Sequence, residues 1–461
     1  MTVAVYRDVM AAKLKRVLGP LDATCVVIGA IIGVGIFFTP RQVAEIAGSG
    51  QLALWIWVIG GGIALLGALT FAELGGLYPR SGGQYAMLRD AWGTLPAFLF
   101  VFCNATAIQT GAIAIIAVVC AQNLGIAAGG SLDGGMLTVV AVVLILCLLT
   151  ANALGVRWGA RIQNLTVVAK VATLLTVTVL AAVLGSGGGA VDQANDAVSG
   201  VVRAGVVGAI FAGLVPALFS FGGWQHALWM AGEVRRPRRN VPRAIVGGVL
   251  VVVIVYVLVN WAYLRLLGYD GVVASTATAA DAVAAVWPGT GKRLVALAVA
   301  VSAFGVLNAQ LLSGPRLVYG MARDGRFFRP FAQASERFGT PVAAIVLIGG
   351  LSLVLLVAAS GRVVELLLTG VVFIDAIFFV LTAAALLVLR RRRPSARRLV
   401  RVPFYPLVPL LFIAGELGVI AGAALVPDMR AAAVIGLAWI VAGTVCYVLF
   451  FRGSQAGDQR T

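Results

Sequence analysis

Charge is scarce in this sequence of 461 residues. Only 11% of them are Asp, Glu, Lys or Arg, against 61% hydrophobic, and the mean hydropathy is +1.01. A soluble chain is about a quarter charged, so the composition excludes a soluble globular protein and points to an integral membrane protein with many spans. Histidine is rarer still, with His226 alone. No HExxH, no GxSxG and no clustered acids occur. The nucleophile–base pairs, metal clusters and carboxylate pairs on which a membrane enzyme is built are therefore not found, so neither an enzyme nor a bound metal or other cofactor is expected. The five cysteines (Cys25, Cys103, Cys120, Cys147 and Cys446) all fall within apolar runs without metal-ligand spacing. They read as reduced packing residues rather than disulfides or ligands. Arg7, Asp8, Lys13, Lys15 and Arg16 lead straight into the first apolar run with no small-residue cleavage site, so no cleavable signal peptide is expected.

Acids are also few beside bases, 18 against 35, for a net charge of +17. Such an excess suits nucleic acid in a soluble protein. Here the basic residues sit in short loops between apolar runs, which sets membrane orientation instead, and no nucleic-acid partner is expected. Runs of about 20 residues or more, enough to cross a bilayer, lie at 20–47, 52–78, 95–124, 135–154, 160–185, 205–232, 243–267, 292–321, 342–359, 364–389, 404–426 and 431–451. With twelve spans, every even-to-odd loop lies on one side. Those loops hold Arg80, Arg89, Arg157, Arg161, Arg235 to Arg243, Arg316 to Arg337 and the dense run Arg390 to Arg401. The opposite side has Arg41, Arg203, Arg265, Lys292, Arg293, Arg362 and Arg430. The asymmetry predicts a multi-pass protein of the cytoplasmic membrane with both termini in the cytoplasm. Arg390 to Arg401 could also meet anionic lipid headgroups, although topology alone accounts for it.

Two apolar segments are built to break. Gly29, Gly33 and Gly35 lie inside Val27–Pro40, and each glycine in a helix interior costs about 1 kcal/mol relative to alanine. Unwound backbone at membrane depth is tolerated only where protein or a water-filled cavity meets its polar groups. Freed amides at the start of the second half-helix suit a carboxylate, and freed carbonyls at the end of the first suit an ammonium. Glycines that merely let a neighbouring helix approach are the bland alternative. A second interruption at 211–233 holds Pro216, which removes a helix donor, and Gly222-Gly223, which weakens the helix further. Interrupted spans at corresponding positions of two halves mark a transporter binding site, which favours the functional reading. The organisation expected is a cytoplasmic segment 1–19, a first five-helix repeat 20–185 and an external loop 186–204. A second repeat 205–393, two further helices in 394–451 and a cytoplasmic tail 452–461 follow.

Gly29-Ala30-Ile31-Ile32-Gly33-Val34-Gly35-Ile36-Phe37, Phe71 to Gly75 with Tyr78 to Tyr85, and Asn152 to Arg157 with Gln163, Asn164 and Lys170 form one part of a recognisable pattern. Gly222-Gly223-Trp224 with Glu233, Val234 and Pro237 to Ile245, and Ser302 to Gly305 with Asn308 and Tyr319 to Gly325, complete it. Together these resemble the amino acid–polyamine–organocation superfamily, and within it the bacterial relatives of the L-type amino acid transporters. Val34 stands where serine is common in that family. The resemblance implies an all-α, twelve-helix LeuT-type fold, a 5+5 inverted repeat with helices 1 and 6 broken, and alternating access. It implies a substrate carboxylate at the amides of Gly33, Val34 and Gly35. The substrate amine would meet carbonyls near Ile31 and in Phe219, Ser220, Phe221 and Gly222, with Asn308 within reach. Phe219 corresponds to the family's gating aromatic; ordinary core packing is its plainer alternative.

Ionisable groups at membrane depth suggest function by default. Lys170, inside Thr166 to Ala172, corresponds to a family lysine that fills a sodium position. It is expected to act in proton coupling or as a fixed tether between spans 5 and 1; the alternative is that it snorkels to the cytoplasmic face. Glu73 is expected to form an ion pair near the end of span 2. His226 reads as a satisfied polar residue, and Asp375 and Glu416 receive no role. Ser220, Phe221 and Gly223 offer no acid for a cationic side chain, so a carrier of neutral amino acids is expected, as exchanger or proton symporter. A carrier of cationic amino acids or polyamines is the alternative, and a channel is more remote because nothing reads as a selectivity filter. The loop Ala121 to Gly135 contains no cysteine, so a monomer without a disulfide-linked heavy subunit is expected.

Overall fold

The computed structural model describes residues 14–184, 205–358, 361–425 and 427–451; within 361–372 and 422–433 it describes the helical backbone alone. Among the described residues the regular secondary structure is helical, apart from one parallel bridge between Leu18 and Val234. The expected segment 186–204 and tail 452–461 lie outside the described residues, as does Arg203.

Helix α1 (Pro20–Ile31) starts with Pro20 at its first position and with the Asp22 carboxylate accepting the Gly19 amide at 2.7 Å. Both features suit a helix N-terminus. It stops at Ile32, and α2 (Gly35–Ala47) resumes at an angle of 46°. Gly48, at φ 73°, ends α2 in the left-handed conformation that glycine adopts without a Cβ penalty. Ser49 caps α3 (Gly50–Leu77), and a short α4 (Gly83–Trp92) precedes the third long segment. That segment is α5 (Thr94–Cys103), a π-helical turn (Asn104–Ile108) and α6 (Gln109–Ala128) in continuous succession. Next come α7 (Gly134–Ala153), capped by Asp133, and α8 (Val156–Leu184).

The second half opens with α9 (Gly205–Phe221) and the one-turn α10 (His226–Trp229). It continues with α11 (Pro237–Ala274), kinked at Gly268, then α12 (Thr278–Val286), α13 (Gly291–Ser313) and α14 (Pro315–Arg323). The chain finishes with α15 (Val342–Ala358), α16 (Gly361–Arg392), α17 (Leu407–Leu425) and α18 (Pro427–Phe450). Among the described residues eight helices are long and apolar enough to cross a membrane, or nine with α1 and α2 taken as one bent span. Three shorter apolar helices accompany them, at Val342–Ala358, Leu407–Ala421 and Val434–Phe450.

The sequence pattern placed two breakers in the sixth run, and only one acts. Pro216 sits inside α9, and the helix continues past it to Phe221. A proline removes a single donor. The Pro216 carbonyl still accepts a hydrogen bond, from Ser220 Oγ at 3.2 Å. The chain leaves helical geometry at Gly222-Gly223, where no side chain resists it.

The centre of the molecule is closely packed. α11 runs along α3 and α1, while α13 runs along α6, α8 and α1. Close approach rests on small residues: a Cβ on Gly248 of α11 would stand 2.6 Å from a Val27 methyl of α1. Val139, Val143 and Leu146 on α7, with Leu165, Val168 and Val179 on α8, are exposed apolar side chains of the outer surface. Such a surface is stable against lipid and costly in water, so the chain is a multi-pass membrane protein.

Candidate functional site

The two breaks meet. Gly223, at φ 132°, brings its Cα so near the other break that a Cβ there would stand 2.8 Å from the Ala30 carbonyl carbon and oxygen. Gly35, at the start of α2, faces Ser220 of α9: a Cβ on Gly35 would stand 2.9 Å from Ser220 Oγ. Thr39 Oγ1 and Ser220 Oγ share a hydrogen bond of 2.8 Å, and Thr39 also donates to the Gly35 carbonyl at 2.9 Å. Side chain and backbone thus lock the start of α2 against the end of α9.

The two ends of the first break are treated differently. Where α1 stops, its last carbonyls lose their helical partners, and side chains from three other helices replace them. Lys170 Nζ of α8 donates to the Ile32 carbonyl at 2.7 Å and the Gly29 carbonyl at 3.1 Å. The Tyr256 hydroxyl of α11 donates to the Ile31 carbonyl at 3.1 Å. Ser302 Oγ of α13 donates to the Ile32 carbonyl at 3.2 Å, and the Ser302 carbonyl in turn accepts from Lys170 at 3.3 Å. The amide end is held more lightly: the Gly33 amide faces the Tyr256 hydroxyl, and α2 begins at Val34 with no side-chain cap. Its first turn therefore keeps the positive end of a helix dipole facing the gap.

Access follows the same division. Gly33, Val34, Gly35 and Gly222 are partly accessible and Phe219 is 44% exposed, whereas Ile32, Ile36, Ser220 and Phe221 are buried. Gly33 also faces α13, with Val306 standing 3.3 Å from where its Cβ would be. Of the expected residues, Ile31, Gly33, Val34, Gly35, Phe219, Ser220 and Gly222 are thus gathered at the crossing of the breaks. Phe221 contributes only its backbone there. Its ring is buried against Tyr256 at 5.1 Å and Trp57 at 5.8 Å.

Asn308 is the exception. The structure does not bring it to the break: its amide donates to the Gly159 carbonyl and to Gln163 Oε1, both at 2.8 Å, and its carbonyl oxygen accepts from Asn152 at 3.0 Å. Gln163 passes the chain on to the Cys25 carbonyl at 3.4 Å. This ladder, fully buried at Asn152, Gln163 and Asn308, ties α7, α8, α13 and α1 together and leaves no Asn308 donor for a ligand.

Lys170 is fully buried rather than snorkelled, so its expected placement beside span 1 is met in geometry. Room for it comes from Gly305: a Cβ there would stand 3.0 Å from Nζ. Two more residues contact the breaks that the sequence did not single out, Tyr256 and Thr39, marked only by a hydroxyl within an apolar run. Trp224, part of the glycine-pair motif, follows the second break and is held by Phe379 at 5.4 Å, Phe412 at 6.1 Å and Phe71 at 6.2 Å. It fixes the far side of the second break to α3, α16 and α17.

Below the breaks the chain is fastened by charge. Glu233 and Arg316, both fully buried, form a two-point ion pair at 2.9 and 3.0 Å. Glu73 pairs with Arg390 at 2.5 Å and Arg398 at 3.1 Å, and accepts the Val402 amide at 2.7 Å. The expected ion-pair role of Glu73 is therefore met. His226 Nδ1 shares a 2.5 Å hydrogen bond with Ser313 Oγ, and its ring lies 4.3 Å from that of Trp229. It is a satisfied polar residue, as expected. Glu416 is buried and Asp375 half-buried.

Residues 18–451 match the family model described as amino acid permease. The chain is 31% identical over 428 residues to the serine/threonine exchanger SteT of Bacillus subtilis, covering 90% of this chain and 92% of that one. It is 30% identical over 355 residues to the b(0,+)-type amino acid transporter 1 of Mus musculus, covering 76% and 72%. It is 30% identical over 412 residues to the large neutral amino acids transporter small subunit 2 of Rattus norvegicus, covering 87% and 75%.

Proposed function

Because the chain belongs to the amino acid permease family, we propose that it exchanges neutral L-amino acids across the cytoplasmic membrane by alternating access at the crossing of its two broken helices. The observation that carries this is the asymmetry of the first break. Its carbonyl end is occupied by Lys170, Tyr256 and Ser302, whereas α2 starts at Val34 without a side-chain cap and Gly33, Val34 and Gly35 are partly accessible. A carboxylate suits that amide end, held by the backbone of Gly33, Val34 and Gly35. The ammonium then falls to the last carbonyls of α9, within Phe219 to Gly222, with the free lone pair of the Ile31 carbonyl beside them. Phe219, exposed beside Ser220, is the side chain we assign to close over a bound amino acid.

No acid occurs in 27–39 or 211–226, so a cationic side chain has no counter-charge in either broken segment. Exchange is favoured over proton symport because Lys170 is engaged as a threefold tether, and the similarity to a serine/threonine exchanger points the same way. The eight or nine spans and three shorter apolar helices among the described residues are compatible with a 5+5+2 arrangement of twelve. In it α1 to α8 form one repeat, α9 to α16 the second, and α17 and α18 stand outside. The protein works as a single chain with both ends in the cytoplasm, without a disulfide-linked partner.

Counterflow tests this reading. Purified protein in liposomes loaded with unlabelled L-serine or L-threonine takes up labelled L-serine. Empty liposomes do not, with or without an imposed proton gradient. Uptake into empty liposomes driven by the gradient overturns exchange in favour of symport.

A further inference from the structure

The arginine-rich face of the molecule holds cations in excess of the acids that could neutralise them. An open groove of about 520 Å³ is lined by Arg16, Pro79, Arg236, Arg238, Arg239 and Leu399. Beside it, and sharing Arg238, lies a smaller recess of about 180 Å³ that adds Arg393, Arg397 and Arg398. Nearby acids are committed elsewhere: Asp90 pairs with Arg89 and with Arg393 at 3.0 Å, and Glu73 pairs with Arg390 and Arg398. Arg16, Arg236, Arg238, Arg239 and Arg397 form no ion pair among the described residues, and no acid lines either hollow. Arg16 reaches only the Pro79 carbonyl, at 3.4 Å. The groove also receives the first turn of α11, whose 38 residues start at Pro237 without a side-chain cap. Its dipole adds to the positive field.

From this cluster we infer that the face bearing Arg16, Arg236, Arg238 and Arg239 is a binding site for a phosphate-bearing anion, either the headgroup of an acidic phospholipid or a soluble phosphate. Guanidinium groups match phosphate oxygens in pairs, which a single ammonium cannot do. The site joins four separate stretches of chain: the N-terminal segment, the α3–α4 loop, the start of α11 and the α16–α17 loop. The N-terminal segment is itself pinned to the chain below the second break, with the Leu18 amide donating to the Glu233 carbonyl at 2.9 Å and the Arg235 amide to the Leu18 carbonyl at 2.8 Å. An anion here therefore ties these four stretches together.

The test uses purified full-length protein in neutral detergent, with melting temperature as readout. Dioleoyl phosphatidylglycerol, dioleoyl phosphatidylcholine and inorganic phosphate are added separately, the last against matched sodium chloride. An upward shift with phosphatidylglycerol alone assigns the site to lipid. A shift with inorganic phosphate alone assigns it to a soluble anion, and shifts with both support the shared chemistry. The triple variant R236Q/R238Q/R239Q loses the shift, and R236K/R238K/R239K, which keeps charge and topology, retains only part of it. No shift with either anion, a shift of equal size with phosphatidylcholine, or a full shift in the triple Gln variant overturns the proposal.

Discussion

Lys170 Nζ lies 2.7 Å from the Ile32 carbonyl, so a buried side chain on α8 holds the point at which α1 ceases to be helical. The same amino group donates to the Gly29 and Ser302 carbonyls, and so fixes the position of the first break relative to α8 and α13. Replacing it by methionine keeps the bulk and removes three donors. A buried acceptor left without a partner costs about 1–3 kcal/mol. Lys170→Met is expected to remain folded by gel filtration and to lose at least tenfold in counterflow exchange.

Gly223 takes φ 132° and leaves no space for a Cβ against the Ala30 carbonyl. Strain in that region costs about 1–3 kcal/mol, and backbone overlap adds to it. Gly223→Ala is expected to lower the melting temperature and abolish exchange. Gly222→Ala, whose Cβ would meet only the Phe219 carbonyl at 3.5 Å, is expected to keep the stability of the parent protein. Thermal unfolding of both variants distinguishes a local requirement at 223 from a general intolerance of the loop.

Glu233 and Arg316 are buried and bonded at two points. Removing one partner of such a pair costs about 3–5 kcal/mol, because the other charge is left unpaired. Glu233→Gln and Arg316→Met are each expected to be strongly destabilised, and the double variant less so than their sum. A double-mutant cycle in melting temperature measures the coupling; additive losses would show that the two do not act as a pair.

Asp90 carries a pH dependence. Burial alone would raise its carboxyl, but bonds from Arg89, Tyr78 and Arg393 outweigh burial and hold it below the ordinary carboxylate range. A depressed folded value means the stabilisation is complete above the unfolded value of about 3.9 and is lost as pH falls through the lower folded one. Stability of the arginine-rich face is expected to fall below about pH 4. Asp90→Asn is expected to flatten that acid limb while lowering stability at neutral pH, as read by melting temperature against pH.

Much of this was legible in the sequence, and what was not has identifiable causes. Gly33-Val34-Gly35 and Gly222-Gly223 announce themselves because nothing but glycine removes the Cβ, and both are breaks in the structure. Pro216 misled because a proline takes away one donor and leaves the rest of the helix intact. Asn308 misled for a different reason. Sequence gives the depth of a residue along a span, but not which other polar groups share that depth, and Asn152 and Gln163 hold its amide. Tyr256 and Gly305 were invisible as site residues: one is a single hydroxyl in a valine-rich run, and the other matters only through the lysine it makes room for.

Binding of L-serine by purified protein, set beside ethanolamine and N-acetyl-L-serine, tests the central claim most directly. Ethanolamine keeps the amine and hydroxyl and lacks the carboxylate; N-acetyl-L-serine keeps the carboxylate and lacks the free amine. The account predicts that L-serine alone raises the melting temperature, that Gly33→Leu abolishes that rise while leaving the unliganded protein folded, and that neither analogue substitutes. Stabilisation by ethanolamine equal to that by L-serine, or an undiminished serine response in Gly33→Leu, would contradict it.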